Sequence, residues 1–182
     1  MLEQLHRDLE RDSEAYGLRR DGTMRGQAFV RAVRELEGRV SDDLSEAGGA
    51  QGVAAFTISV AGSGGSVVDA VVRRAAARAG QRLLGQCGTE LFCVVYREFF
   101  ADLVAGFLQV AIAEQIRLVV PGLDIVDPTG RVAEWIADHL MALVPDPCSE
   151  AVGRPGTSVL DVAEELVPRA VDTVLGIAGQ PV

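Results

Sequence analysis

Four small residues in the stretch AGSGGSVVDAVV lie between an apolar run and a predicted helix. Their types and spacing are those of an anion-binding turn, in which backbone N–H groups at the helix N-terminus hold the anion. A dinucleotide-binding turn needs a small residue at the position of Val67. It also needs an acidic residue about twenty positions further on, but the sequence has no acidic residue between Asp69 and Glu90. A P-loop needs a lysine, and the sequence contains no lysine. The stretch therefore favours a hinge or a close helix crossing over an anion turn. The residues of this candidate anion turn are Gly62, Gly64, Gly65 and Ser66.

Three arginines, Arg74, Arg78 and Arg82, recur every four residues and form a basic stripe on one predicted helix. We predict that this stripe binds an anionic partner; the alternatives are a solvated helix face or pairing with the acidic second half of the chain. No aromatic residue lies among the arginines, which argues against nucleic-acid binding. The apolar face of the same helix consists mostly of valine and alanine, without the Trp or Phe typical of a membrane-surface helix. A membrane surface is therefore a less favoured partner.

Reactive side chains are sparse and widely separated. Cys87, Cys93 and Cys148 form neither a disulfide framework nor a CxxC pair, so we expect reduced, buried thiols. The two histidines, His6 and His139, lie on different predicted helices, and no His or Cys pair has the spacing of a zinc site. We expect no metal, no cofactor and no catalytic residue, and predict that the protein is not an enzyme.

Apolar periodicity predicts about six helices that position these residues. The longest, within residues 89–122, is apolar on nearly all sides and should be a central hydrophobic helix surrounded by the others. The sequence LRRDG at residues 18–22 predicts a turn, and the segments VPDPCSE and VGRPGTS predict loops. The predicted helices cover residues 2–15, 23–48, 66–86, 89–122 and 127–144, and begin again at Ser158.

One of these helices, at residues 127–144, is predicted from an Asp-Pro start and a core stripe. The stripe consists of Val132, Trp135, Ile136, Leu140 and Leu143.

An α/β fold with a small parallel sheet is the alternative. The runs AAFTISVAG, LFCVVY and IRLVV have the length and composition of short strands, which periodicity alone cannot separate from buried helix. No turn residue lies where LFCVVY would have to pass into a helix, so the all-α helical bundle is preferred.

Composition indicates a folded protein that associates with others. The chain has 182 residues, 48% of them hydrophobic, a net charge of −9 and a mean hydropathy of +0.21. This apolar content favours an oligomer or a partner interface. We expect an N-terminal helical pair at residues 1–48 and a main helical bundle at 49–182, together forming one compact domain. A charged N-terminus without a signal pattern, and the reduced thiols, predict a cytoplasmic protein.

The predicted function is that of a non-catalytic helical domain for protein interaction or regulation, acting through a homo-oligomer or a protein partner. Nucleic acid is not an expected partner. One alternative is a small-molecule or lipid-binding protein with an apolar pocket between helices. Another is a membrane-active protein that inserts residues 52–68 and 91–120. The predicted pocket is lined by Phe99, Phe100, Phe107 and Trp135.

Overall fold

The computed structural model describes residues 18–39, 50–65, 67–85, 89–119 and 137–175. These residues form helices and connecting turns, with no strand among them, which confirms the all-α prediction and shows that the α/β alternative is wrong for the described part. Residues 137–141 are also helical. The helices are α1 (Leu18–Arg39), α2 (Ala50–Ala61), α3 (Val67–Gly85), α4 (Thr89–Val119), α5 (Pro147–Val152) and α6 (Val159–Val174).

Helix α4 is the centre of the core, as its apolar sequence predicts. Its 31 residues pack against α3, α5 and α6, and α1 reaches it through aromatic contacts. The ring of Phe29 on α1 stacks on Phe99 with centroids 4.4 Å apart, and Phe100 lies 4.9 Å from Tyr96. Helix α2 packs on α1 and α3 and forms the outer part of the bundle.

Glycines allow the helices to cross closely. A Cβ atom on Gly26 of α1 would lie 2.5 Å from the ring of Phe100 and 2.7 Å from Val167, so only a glycine lets α1 approach both α4 and α6. Gly106 of α4 has the same role at α3, where a Cβ atom would overlap Val71. These two glycines let α1 and α3 pack closely against α4, and α1 against α6.

The predicted turn at residues 18–22 is wrong, because this stretch is the first part of α1. Gly22, which suggested a turn, instead lies at a helix contact, since its Cβ position would be 3.2 Å from Val171 of α6. Arg19 forms a bidentate ion pair with Asp172 of α6 at 2.7 Å. Packing against α6 thus extends α1 to Leu18. The predicted end of this helix at Gly48, and the predicted helix at residues 2–15, lie outside the described residues.

The strand-like run AAFTISVAG is also helical up to Ala61, the last residue of α2. Its β-branched residues do not prevent this, because α2 buries Phe56 and Val60 against α1 and α3. The hydroxyl of Thr57 donates to the carbonyl of Val53, and that of Ser59 to the carbonyl of Phe56. Tertiary burial therefore decides the local structure here.

The C-terminal segment contains two differences from the sequence expectation. The helix that includes residues 137–141 ends before Leu143, whose N–H bonds the carbonyl of Leu140 in a turn that leaves Leu143 exposed and buries Val144 instead. The predicted loop VPDPCSE contains α5, with Asp146 as its N-cap. Helix α6 begins next to Ser158, as predicted, and Ser158 is its N-cap, since its hydroxyl accepts a hydrogen bond from the N–H of Asp161. Residues 120–136, which include Trp135, lie outside the described part.

Candidate interaction surfaces

The glycine turn between α2 and α3 faces a carboxylate of the chain itself. Gly62 adopts a φ of +70°, which favours glycine, and the side chain of Asp69 lies against Gly64. Asp69 stands in the first turn of α3, where the helix dipole stabilises a negative charge. An added anion would have to displace this carboxylate. Ser66, the fourth residue of the candidate anion turn, lies outside the described residues.

Arg25 of α1 neutralises that carboxylate in a partly buried ion pair. Its guanidinium lies 3.0 Å from Asp69, and the two side chains are only 22% and 12% exposed. The same guanidinium donates to the carbonyl of Val60 at 3.4 Å. Its Nε atom is buried and has no partner among the described residues. The turn is thus a structural junction that ties α1 to the end of α2 and the start of α3.

The basic stripe of α3 lies against the acidic edge of α4. Arg78 pairs with Asp102 at 3.2 Å, and Arg82 pairs with Glu98. Both arginines remain about half exposed, and Arg74 lies beside Gly106. Pairing with the acidic second half of the chain, one of the alternatives for this stripe, therefore occurs at two of its three arginines.

These pairs border a cleft of about 380 Å³ between α3, α4 and residues 137–141. Five of the residues that line it are charged, and four of these form the ion pairs across α3 and α4. Binding of a charged ligand would have to compete with these internal ion pairs. The lining residues are Arg78, Gln81, Arg82, Glu98, Ala101, Asp102, Ala137, Asp138 and Met141.

The phenylalanines of the predicted pocket are parts of the core. Phe99, Phe100 and Phe107 are each at most 5% exposed, and Phe99 and Phe100 pack edge to face on each other. Trp135 lies outside the described residues, so the pocket as a whole stays a prediction.

Tyr96 completes this aromatic core and donates a hydrogen bond from its hydroxyl to the carbonyl of Ala163 at 3.1 Å. Burial raises the pKa of Tyr96 far above the ordinary value for a phenol, because the charged form would lose its water. The hydroxyl therefore stays protonated and holds α4 to α6.

The expectation of reduced thiols is wrong for two of the three cysteines. Cys93 of α4 and Cys148 of α5 form a disulfide, with Cα atoms 5.9 Å apart. Their separation of 55 positions in the sequence concealed the pair, because sequence spacing does not show which helices become neighbours. This removes one of the two grounds for a cytoplasmic location. Cys87 lies outside the described residues.

The outer face of α2 is an uncharged surface that the sequence analysis did not identify. The helix contains no charged residue, and it buries Phe56, Val60 and Ala61. Its opposite side exposes Ala54, Ala55, Ile58 and Ser59, with Ile58 60% exposed. A helical, rather than strand-like, interpretation of residues 50–61 would have shown that these positions share one face.

None of the described helices combines the length and apolar character needed to cross a membrane. Comparison with protein-family models, curated proteins and solved structures finds no match to this chain. Function is therefore inferred from the glycine turn, the basic stripe and the outer face of α2.

Proposed function

We propose that the protein is a non-catalytic helical domain that associates with a second copy of itself through the outer face of α2. We define this face as Ala54, Ala55, Ile58 and Ser59, four exposed residues that neighbour one another about one turn apart on the helix. The observation that carries the proposal is a surface helix without any charged residue. Even its two hydroxyl groups, on Thr57 and Ser59, donate to carbonyls of α2 itself. This face therefore has few groups that can donate hydrogen bonds to water.

Charge favours a second copy as the occupant. The chain has a net charge of −9, so two copies repel each other over most of their surfaces. An uncharged face avoids this repulsion and can meet the same face of another copy about a two-fold axis, where each residue finds its symmetry mate. Ala54 and Ala55 are small enough for two helices to approach closely. A strongly basic partner would instead be drawn to the acidic surfaces of the bundle.

The size of the face predicts weak association. A helix of 12 residues is about 18 Å long, and a face of that length buries only about 200 Å² per copy. Stable dimers bury about 800 Å² per partner. We therefore expect a concentration-dependent dimer with a Kd on the order of 100 µM.

Replacement of a single exposed side chain tests the proposal. Ile58→Glu places two like charges at the expected contact, and dimerisation should fall at least about tenfold, from like-charge repulsion across the two-fold axis. Leu143→Glu is the matched control. Leu143 is 56% exposed, and it lies in the turn after Leu140, outside the α2 face. Sedimentation equilibrium of the full chain between about 10 and about 500 µM measures both variants, over a range that brackets the expected Kd.

The expected result is a wild-type dimer that Leu143→Glu retains and Ile58→Glu loses. A wild type that stays monomeric over the whole range would contradict self-association. Equal loss of the dimer in both variants would contradict the assignment to α2. Circular dichroism of each variant shows whether the helical bundle is retained, and a second substitution, Ala55→Glu, repeats the test if Ile58→Glu unfolds the protein.

A further inference from the structure

A carboxylate lies beside the two cysteines that join α4 to α5. The sulfur atoms of Cys93 and Cys148 and a carboxylate oxygen of Asp146 all lie within 4.8 Å of one another. Cys93 is buried, whereas Cys148 and Asp146 are half-buried, so the group is reached from the surface at one side. In the disulfide the two sulfurs are bonded to each other. Ligand atoms bound at about 2.0 to 2.3 Å in a tetrahedral site are slightly less than 4 Å apart, so the reduced side chains would have to rotate to that spacing around the metal.

The carboxylate is held in place by two hydrogen bonds. One oxygen of Asp146 accepts from the N–H of Cys148 at 3.0 Å, and the other accepts from the hydroxyl of Ser149 at 3.1 Å. Such bonds fix the orientation of a metal-binding carboxylate and leave each oxygen a free lone pair. The sulfur of Cys148 also lies 3.5 Å from the carbonyl of Thr89, where a reduced thiol would donate. The surroundings thus suit the reduced cysteines as well as the disulfide.

We propose that, when the disulfide is reduced, Cys93, Cys148 and Asp146 bind a thiophilic divalent cation such as zinc. Two equivalents of a small-molecule thiol reduce the disulfide to two cysteine thiols and are themselves oxidised to a disulfide. The cation then displaces one proton from each cysteine, and both protons pass to the solvent. Two thiolates and one carboxylate bind the metal, and a water molecule completes four-coordination.

Electrostatic attraction favours binding of a cation between Cys93, Cys148 and Asp146 in the reduced state. Two thiolates beside the carboxylate of Asp146 would place three negative charges within 4.8 Å of one another, where they would repel. A divalent cation reverses this repulsion and stabilises all three charges. Thiolate ligands select zinc and similar soft metals over calcium or magnesium, which prefer oxygen ligands. The cross-link between α4 and α5 would then be retained in both redox states.

Cobalt(II) is the probe, because a tetrahedral cobalt–thiolate site is strongly coloured. The full chain is reduced with a dithiol, desalted under anaerobic conditions and titrated with cobalt chloride. We expect a thiolate-to-cobalt charge-transfer band that saturates at one cobalt per chain and disappears when zinc is added. Absence of this band at a tenfold excess of cobalt would overturn the proposal.

Variants identify the ligands. Cys93→Ser and Cys148→Ser should each lose the two-thiolate spectrum, whereas Cys87→Ser, the matched control, should retain it. Asp146→Ser keeps an N-cap oxygen but removes the carboxylate, and should weaken cobalt binding at least about tenfold. A spectrum that depends on Cys87, or cobalt affinity unchanged in Asp146→Ser, would overturn the assignment.

If a variant does not fold, the wild type still gives an answer. Bound cobalt should slow the alkylation of Cys93 and Cys148 but not that of Cys87, as mass spectrometry of the labelled peptides can show. Equal alkylation rates with and without cobalt would also contradict the proposal.

Discussion

Helices α2 and α6 each bury one face against the bundle, but their opposite faces differ in charge. On α6, the outward residues are mostly charged, and Arg34 of α1 pairs with Asp161 at 2.7 Å and Glu164 at 3.2 Å. Further ion pairs join α6 to its surroundings, from Arg19 to Asp172 and from Arg169 to Glu150. On α2, no residue is charged, and the outer face exposes alanine and isoleucine.

This difference is the reason for proposing a contact at α2 and none at α6. The outer face of α6 is well solvated, and its ion pairs need no partner molecule. The outer face of α2 has the composition of a contact surface, although it lies at the edge of the bundle.

The largest effect is expected where α1 meets α6 and α4. Gly26→Ala places a methyl group 2.5 Å from the ring of Phe100 and 2.7 Å from Val167, so both helices must shift. We expect a loss of about 2 kcal/mol in the free energy of unfolding, after allowance for the better helix propensity of alanine. Gly65→Ala, where a Cβ atom meets no neighbour within 4 Å, is the control and should cost about 0.5 kcal/mol or less. Urea unfolding measures both, and equal losses would contradict the close crossing.

The junction at the end of α2 should be the next most sensitive. Asp69→Asn removes the charge that pairs with Arg25, in a site where both side chains are mostly buried. We expect a loss of about 1 to 2 kcal/mol. Arg34→Gln, which breaks the exposed pairs on α6, should cost about 0.5 kcal/mol. If Arg34→Gln destabilised the protein more than Asp69→Asn, the contrast between the buried and exposed pairs would be wrong.

A smaller effect, dependent on pH, is expected from the bond between α4 and α6. Burial raises the folded-state pKa of Tyr96, so above about pH 10 the unfolded chain loses the phenolic proton while the folded chain keeps it. Stability should therefore be fully present below this pH and fall as the pH rises, by up to about 1.4 kcal/mol per unit. The chain contains no lysine, which simplifies the titration.

Tyr96→Phe distinguishes this effect from general alkaline unfolding. The variant should lose about 1 kcal/mol at neutral pH, because the carbonyl of Ala163 loses its partner. Its stability should then decline less between about pH 10 and about pH 11 than that of the wild type. Parallel declines in urea unfolding curves would show that Tyr96 is not responsible.

The sequence predicted the central part of the fold well. The apolar character of α4 and the start of a helix near Ser158 were predicted from local signals, and both elements are present. The start of α1 and the helical state of α2 were missed, because contacts with α6, α1 and α3 decide them. These contacts join residues far apart in the chain, which local propensity does not register.

The predicted site residues show the same limit. Pairing of the basic stripe with the acidic second half of the chain was one of the alternatives drawn from the sequence, and the ion pairs of Arg78 and Arg82 agree with it. The approach of Cys93 to Cys148 had no local signal. The start of α5 did have one, an Asp-Pro pair at residues 146–147, which is the signal that predicted the helix at residue 127.

Self-association through α2 is tested most directly by cross-linking at its outer face. Ile58→Cys and Glu165→Cys, each combined with Cys87→Ser, place one new thiol on the outer face of α2 or of α6. Under mild oxidation, Ile58→Cys should form a covalent dimer on non-reducing gels, because a residue near a two-fold axis meets its own symmetry mate. Glu165→Cys should remain largely monomeric. Equal dimer yields from the two variants, or a higher yield from Glu165→Cys, would contradict the account.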